Sequence, residues 1–218
     1  MTSKGIGNWS KIEGEMFAAA ERVLIKNPSY SIKGKPPLAK FGNKYVRVPS
    51  GHIKRIKANY DLLNIKNKSR VFEIGPGVGY FLYICKEFGN CEVIGIDIRF
   101  EDVYLDMLLE LSIRDKVKLQ KINPMSVIDF YDTKYDYIVA LGASFTGGWK
   151  LKDHKFFIIN CMDNLLPDGK ILLQFNADKV TNEVLDFYNK ISNDGTNNDP
   201  KYAHYNKFLF LIDKTDNI

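Results

Sequence analysis

Short apolar runs alternate with longer amphipathic stretches along most of this chain. Residues 71–74 (VFEI) read as a buried strand, and 80–88 as the helix that follows it. The same pairing recurs. Residues 92–96 read as a second strand, followed by an amphipathic helix carrying Val103, Tyr104, Met107, Leu108 and Leu111 on one side. A third strand is expected over 117–122, a helical turn near 126–130, and a fourth strand, apolar throughout, over 137–141. A helix over 152–165 leads through Pro167, Asp168 and Gly169 into a fifth strand over 170–175. Residues 180–191 read as a helix and 208–212 as a last strand, with a polar, loop-like stretch over 193–200 between them.

The first third of the chain has a different texture. Residues 1–12 look irregular, and 13–25 read as a helix with Phe17, Ala20 and Leu24 at near-helical spacing, stopped by Asn27-Pro28. Gly34, Pro36, Pro37 and Gly42 make 29–44 a loop, and 45–48 a short extended piece. Ser50 is placed to cap a helix reaching Leu63, with Ile53, Ile56, Tyr60 and Leu63 on one stripe and Lys54, Arg55 and Lys57 largely off it. The alternation after residue 70 implies an α/β fold. Its core would be a doubly wound, mostly parallel sheet with right-handed crossovers, a site at the strands' carboxyl ends and an N-terminal helical extension.

The candidate site begins where the first strand ends. Gly75, Gly77 and Gly79 at alternating positions form a tight turn that lets backbone N–H groups approach a ligand. A nicotinamide-binding G-x-G-x-x-G turn would need glycine at position 80, where this chain has Tyr80. The run Glu73-Ile-Gly75-Pro76-Gly77-Val-Gly79 instead resembles motif I, E/D-x-G-x-G-x-G, of the class I S-adenosylmethionine-dependent methyltransferases, which have a Rossmann-like fold. The resemblance covers roughly half the chain, from about residue 69 to 175, and includes LLPDGKILLQF over 165–175.

The resemblance implies S-adenosyl-L-methionine as cofactor and a binding domain over 61–218, with 1–60 as a basic, mainly helical cap. It implies that Glu73 reaches toward the amino group of the methionine part. Asp97, at the end of the second strand, would accept hydrogen bonds from both ribose hydroxyls, a role that suits an acceptor-only carboxylate. Asn123 follows the third strand, where the family often has an aspartate facing the adenine amine, although Asn123-Pro124 is also a common turn dipeptide. Ile98 and Met125 could lie against the adenine faces or pack in the core.

Charge adds one feature. Residues 1–70 hold 15 Lys and Arg against 4 Asp and Glu, a net of +11, so the rest of the +5 chain is at −6. Such a segment is either a solvated surface or a place for phosphates and acidic substrates, and it makes RNA an alternative acceptor. Cys85, Cys91 and Cys161 form no metal-ligand spacing, so no metal site is expected. Reduced thiols, the lack of an evident leader and the absence of a long apolar run suggest a cytoplasmic protein with no membrane contact.

The acceptor is less legible. The stretch 142–149 (GASFTGGW) sits where the family places substrate contacts and lacks the D/N-P-P-Y/F motif used on exocyclic amines of nucleic-acid bases. Ser144 and Thr146 could hydrogen-bond a substrate; Phe145 and Trp149 could stack on a ring or simply pack. A hydroxyl acceptor must lose a proton, and His154 and His52 are the candidate bases. The expectation is thus a methyltransferase for a small molecule, with RNA methylation or non-catalytic cofactor binding as alternatives.

Overall fold

A computed structural model describes residues 8–31, 43–98, 102–142, 146–176, 180–193 and 207–214. Its elements are α1 (Trp9–Lys26), α2 (Asn43–Arg47), α3 (Pro49–Leu63), β1 (Arg70–Ile74), α4 (Tyr80–Glu87), β2 (Glu92–Asp97), α5 (Asp102–Glu110) and β3 (Val117–Leu119). They continue with β4 (Tyr135–Leu141), α6 (Leu151–Asp163), β5 (Leu165–Asn176), α7 (Asn182–Ile191) and β6 (Lys207–Asp213). The six strands form one sheet in the order β3-β2-β1-β4-β5-β6, parallel except for β6, which runs antiparallel to β5. This is the doubly wound α/β architecture expected from the strand–helix alternation.

Each central strand feeds two cores, because successive side chains point to opposite faces. Val71 joins a cluster with Met16 of α1, Ile53 of α3, Phe81 of α4 and Met107 of α5. Its neighbour Phe72 joins the other cluster, with Phe157 and Ile158 of α6 and Tyr188 of α7. The N-terminal helices thus belong to the packing of one sheet face. Asn27 Nδ2 and Tyr30 Oη donate to Asp106 Oδ2 of α5 at 2.8 and 3.0 Å, and Arg22 and Lys26 pair with Glu110.

Those ties set the rotation of α1. Its buried face is Ile12, Met16, Ala19, Ala20 and Val23, while Phe17, expected on the inner stripe, is 37% exposed. Residues 43–47 are helical where an extended piece was expected at 45–48. The break comes at Val48 because Pro49 opens α3 and disfavours a helical residue before it. Val48, rather than Ser50, therefore occupies the cap position.

On the sheet, β3 stops at Leu119 rather than 122. It has only β2 as a neighbour, so pairing ends as soon as that ladder does. No helical turn forms over 126–130; Ile128 and Phe130 drop into the core instead. Strand β5 starts at Leu165, and Pro167, Asp168 and Gly169 lie in a bulge: Tyr135 pairs with Leu165 but Tyr137 with Lys170.

Candidate functional site

The carboxyl ends of β1, β2, β4 and β5 open on a cavity of about 570 Å³. Its floor is the loop between β1 and α4. Gly75 and Gly79 have φ of 73° and 80°, in the left-handed region that favours glycine. The two positions differ in what surrounds them. A Cβ on Gly75 would meet nothing within 4 Å, so the backbone conformation alone selects glycine there. A Cβ on Gly79 would come within 2.6 Å of Ile113 Cδ1 and 2.7 Å of Leu108 Cδ2.

Asp97 ties this loop to the end of β2. Its Oδ2 accepts from Gly77 N at 3.2 Å and its Oδ1 from Ile98 N at 2.7 Å, and the residue lines the cavity. Glu73, on the neighbouring strand β1, also lines the cavity and is 2% exposed. Burial, and then the charge of Asp97, push its carboxyl up to about 8, against smaller opposing effects of a backbone hydrogen bond at Leu82 and of Arg55. Its Oε2 has no hydrogen-bond partner. Gln120, just past β3, also lines the cavity with a buried, unpartnered Oε1. Unmade hydrogen bonds at buried atoms are costly, so two of them on one cavity mark where a ligand would be held.

The remaining walls come from regions distant in sequence. Helices α2 and α3 bring Tyr45, His52, Arg55 and Ile56, and α5 brings Tyr104. The His52 ring lies 4.4 Å from the Tyr45 ring, centroid to centroid, and Tyr45 lies 6.4 Å from Tyr104. Leu141, Gly142 and Asn176 close the side formed by β4 and β5.

Of the residues singled out in the sequence, Glu73, Gly75, Pro76, Gly77, Asp97, Ile98 and His52 meet at this cavity, and Gly79 shapes the loop beneath it. Asn123 and Met125 do not. Asn123 is exposed in a turn where its N donates to Ser126 Oγ at 2.9 Å and its O accepts from that hydroxyl at 2.7 Å. Gln120 and Ile122 occupy the wall instead. Ser144 and Phe145 lie outside the described residues. Thr146 is buried away from the lining, and the Trp149 ring packs edge-on against His154 and Phe157 in the core.

His154 is also placed away from the cavity. It is fully buried, 3.0 Å through Nδ1 from Tyr188 Oη, and ringed by Trp149, Phe175 and Tyr188. Burial pushes its pKa down to about 4, so it is neutral at physiological pH. The first turn of α6 faces the core rather than the site, and this placement gives a base there no access to a substrate.

Sequence reasoning missed Gln120, Arg55, Tyr45, Tyr104 and Asn176. A signal existed for Gln120 and Asn176, each standing at or just beyond a strand's carboxyl end, as Asp97 does. Arg55 was counted among the cations off the apolar stripe of α3, with nothing local to set it apart. Among the described residues no cluster of His, Cys, Asp and Glu could hold a metal ion, and no helix is long and apolar enough to cross a membrane.

No family model matches the chain, and no curated protein matches it. Solved structures do. A methyltransferase dependent on S-adenosylmethionine from Aquifex aeolicus is 16% identical over 76% of this chain and 98% of that chain, with a TM-score of 0.51. A candidate enzyme of the same description from Methanococcus maripaludis is 13% identical over 80% and 91%, with a TM-score of 0.55. A more partial match is an S-adenosylmethionine-dependent methyltransferase from Thiobacillus denitrificans in complex with S-adenosyl-L-homocysteine, 21% identical over 56% of this chain, with a TM-score of 0.39. That alignment spans 47% of the Thiobacillus chain, about half its length. The two longer matches establish the fold as the Rossmann-like one found in such methyltransferases.

Proposed function

We propose that this chain is a class I methyltransferase that binds S-adenosyl-L-methionine over the glycine loop and methylates a small-molecule acceptor at the ends of β4 and β5. The observation that carries the reading is the pair of carboxylates on one cavity: Asp97 anchored at the end of β2, and Glu73 buried with Oε2 unpartnered. The residues present fit the cofactor. Asp97 would accept from the ribose hydroxyls, Glu73 from the ammonium of the methionine part and Gln120 Oε1 from the adenine amine. The cofactor would supply an electrophilic methyl group on a sulfonium. The protein's task is then to orient the acceptor and exclude water, which the walls of Tyr45, Ile56, Phe81 and Leu141 support. With a hydroxyl acceptor, His52, which lines the cavity, would take its proton.

The disposition of charge supports a small acceptor over RNA. Several cations of the basic segment are engaged within the fold: Lys11 with Glu15, Arg22 and Lys26 with Glu110, Lys57 with Asp61, and Arg70 with Glu92. Three buried thiols, Cys85, Cys91 and Cys161, suit the reducing cytoplasm that belongs to this reading.

Calorimetry with S-adenosylmethionine and S-adenosylhomocysteine tests the cofactor assignment. Asp97→Ala is expected to weaken both by about a hundredfold, the loss of two hydrogen bonds to a charged acceptor. Equal affinity in wild type and variant would overturn it. Incubation with methyl-labelled cofactor and fractionated cell extract should place label in small molecules. Label in RNA would favour the basic-segment alternative, and no turnover with any fraction would favour a binding protein. For a hydroxyl acceptor, His52→Ala should lower kcat by about 10² to 10⁴ without changing cofactor affinity.

A further inference from the structure

Position 80 is where a nicotinamide-binding turn would carry glycine, and the reading above gives Tyr80 no task. It opens α4 directly after Gly79, is 2% exposed and lines the cavity. Its Oη donates to the backbone O of Tyr45 in α2 at 3.1 Å. Burial raises its pKa, so the hydroxyl keeps its proton and remains a donor.

The carbonyl it meets is one that α2 cannot satisfy from its own sequence. In a continuing helix the carbonyl of residue 45 would accept from the N–H of residue 49, as that of Lys44 does from Val48 N at 3.1 Å. Residue 49 is Pro49, which opens α3 and has no N–H. Pro49 thus ends α2 and leaves a carbonyl whose donor must come from outside the helix. The first turn of α4 supplies it, and α2 is fastened to the glycine loop.

The tie reaches His52. The Tyr45 and His52 rings lie 4.4 Å apart, with their planes tilted by 58°. Tyr45 also lies 6.4 Å from Tyr104, whose Cζ would stand 3.8 Å from a Cβ on Gly77. Rings from α2, α3 and α5 therefore converge beside the loop that α4 continues. A base must come within about 3 Å of the proton it takes, so its register against the methyl donor bears directly on the rate.

We propose that Tyr80 is a positioning residue: its hydroxyl holds α2 at the glycine loop and, through the Tyr45 ring, sets His52 over the bound cofactor. This rests on the methyl-transfer reading above, in which His52 takes the proton of a hydroxyl acceptor.

Proton NMR of the full chain reads the His52 ring directly, its resonances being assigned by their loss in His52→Ala. In wild type the current of the Tyr45 ring should displace them from the position of a free imidazole. Tyr80→Phe keeps the buried ring, removes the hydroxyl and should move them toward that position. Tyr45→Leu should do the same, and adding Tyr80→Phe to it should move them no further, because both act along one path. A role in stability alone would lower the unfolding temperature of Tyr80→Phe and leave the His52 resonances where they are. By calorimetry, S-adenosylhomocysteine should bind Tyr80→Phe within about twofold of wild type. Transfer of labelled methyl to the small-molecule fraction of cell extract, at saturating cofactor, should fall about 10- to 100-fold. Resonances unmoved in Tyr80→Phe, or an effect that adds to that of Tyr45→Leu, would overturn the proposal. Failure of wild type to bind S-adenosylhomocysteine would instead overturn the methyl-transfer reading, and the resonances of the ligand-free protein would still decide the role of Tyr80.

Discussion

Glu73 and His154 are both buried, titratable and left with one side-chain atom that makes no hydrogen bond, yet they sit on opposite faces of the sheet and differ in what surrounds that atom. Glu73 opens on a cavity flanked by a glycine loop and a second carboxylate. His154 is enclosed by three aromatic rings and held from one side by Tyr188. An unpartnered polar atom beside open space is a place for a ligand. The same atom enclosed by rings is a cost of packing, and its consequence is confined to stability.

The contrast is sharpest in pH. Glu73 has a raised pKa in the fold, about 8 against 4.5, so its contribution is fully present below pH 4.5 and is lost as pH rises toward 8. Up to about 5 kcal/mol is at stake from a shift of that size, a large part of a domain's stability. Urea denaturation of the ligand-free protein should show this fall, and Glu73→Gln should remove it. Parallel curves for variant and wild type between pH 5 and 8 would break the contrast.

His154 should act in the opposite sense. Its pKa is lowered from 6.5 to about 4, so the neutral fold loses stability as pH falls from 6.5 toward 4, by about 3 kcal/mol at most. Replacing it with Phe should remove this dependence, so that the variant's stability stays flat relative to the fall in wild type across that window, and should leave cofactor affinity within about twofold. A large loss of affinity in His154→Phe would mean that the enclosed site and the cavity are coupled.

The smallest effects concern the loop on which the cavity rests. Gly79→Ala meets both a left-handed φ and two side chains and should cost about 2–3 kcal/mol in thermal unfolding, whereas Gly75→Ala meets strain alone and should cost about 1–2. Gly75→Ala should nevertheless weaken ligand binding more, because its added methyl would project into the space a ligand needs. The reverse ranking in binding would remove Gly75 from the site.

Most of the sheet was legible because its central strands are covered on both faces and must be apolar whatever they pack against. The glycine loop and Asp97 were legible for a related reason, since a backbone turn and a strand end leave local marks. Gln120 was not, because an edge strand ends where its single neighbour stops pairing, and a pattern that continues to Ile122 pointed to Asn123 instead. His154 was misplaced because the first turn of α6 looks alike whether it faces a cavity or a core. Arg55 and Tyr45 depended on how α2 and α3 lie across the sheet, which contacts with α4 and α5 decide at long range.

The two backbone hydrogen bonds that Asp97 accepts also bear on the rate and entropy of binding. A glycine-rich segment left to itself would sample many conformations, and ordering it on a ligand would cost about 1–2 kcal/mol per residue. Here Gly77 and Ile98 are already drawn to one carboxylate, so that ordering is completed during folding. Ligand capture should then proceed without a slow rearrangement of the loop, as a single concentration-dependent phase.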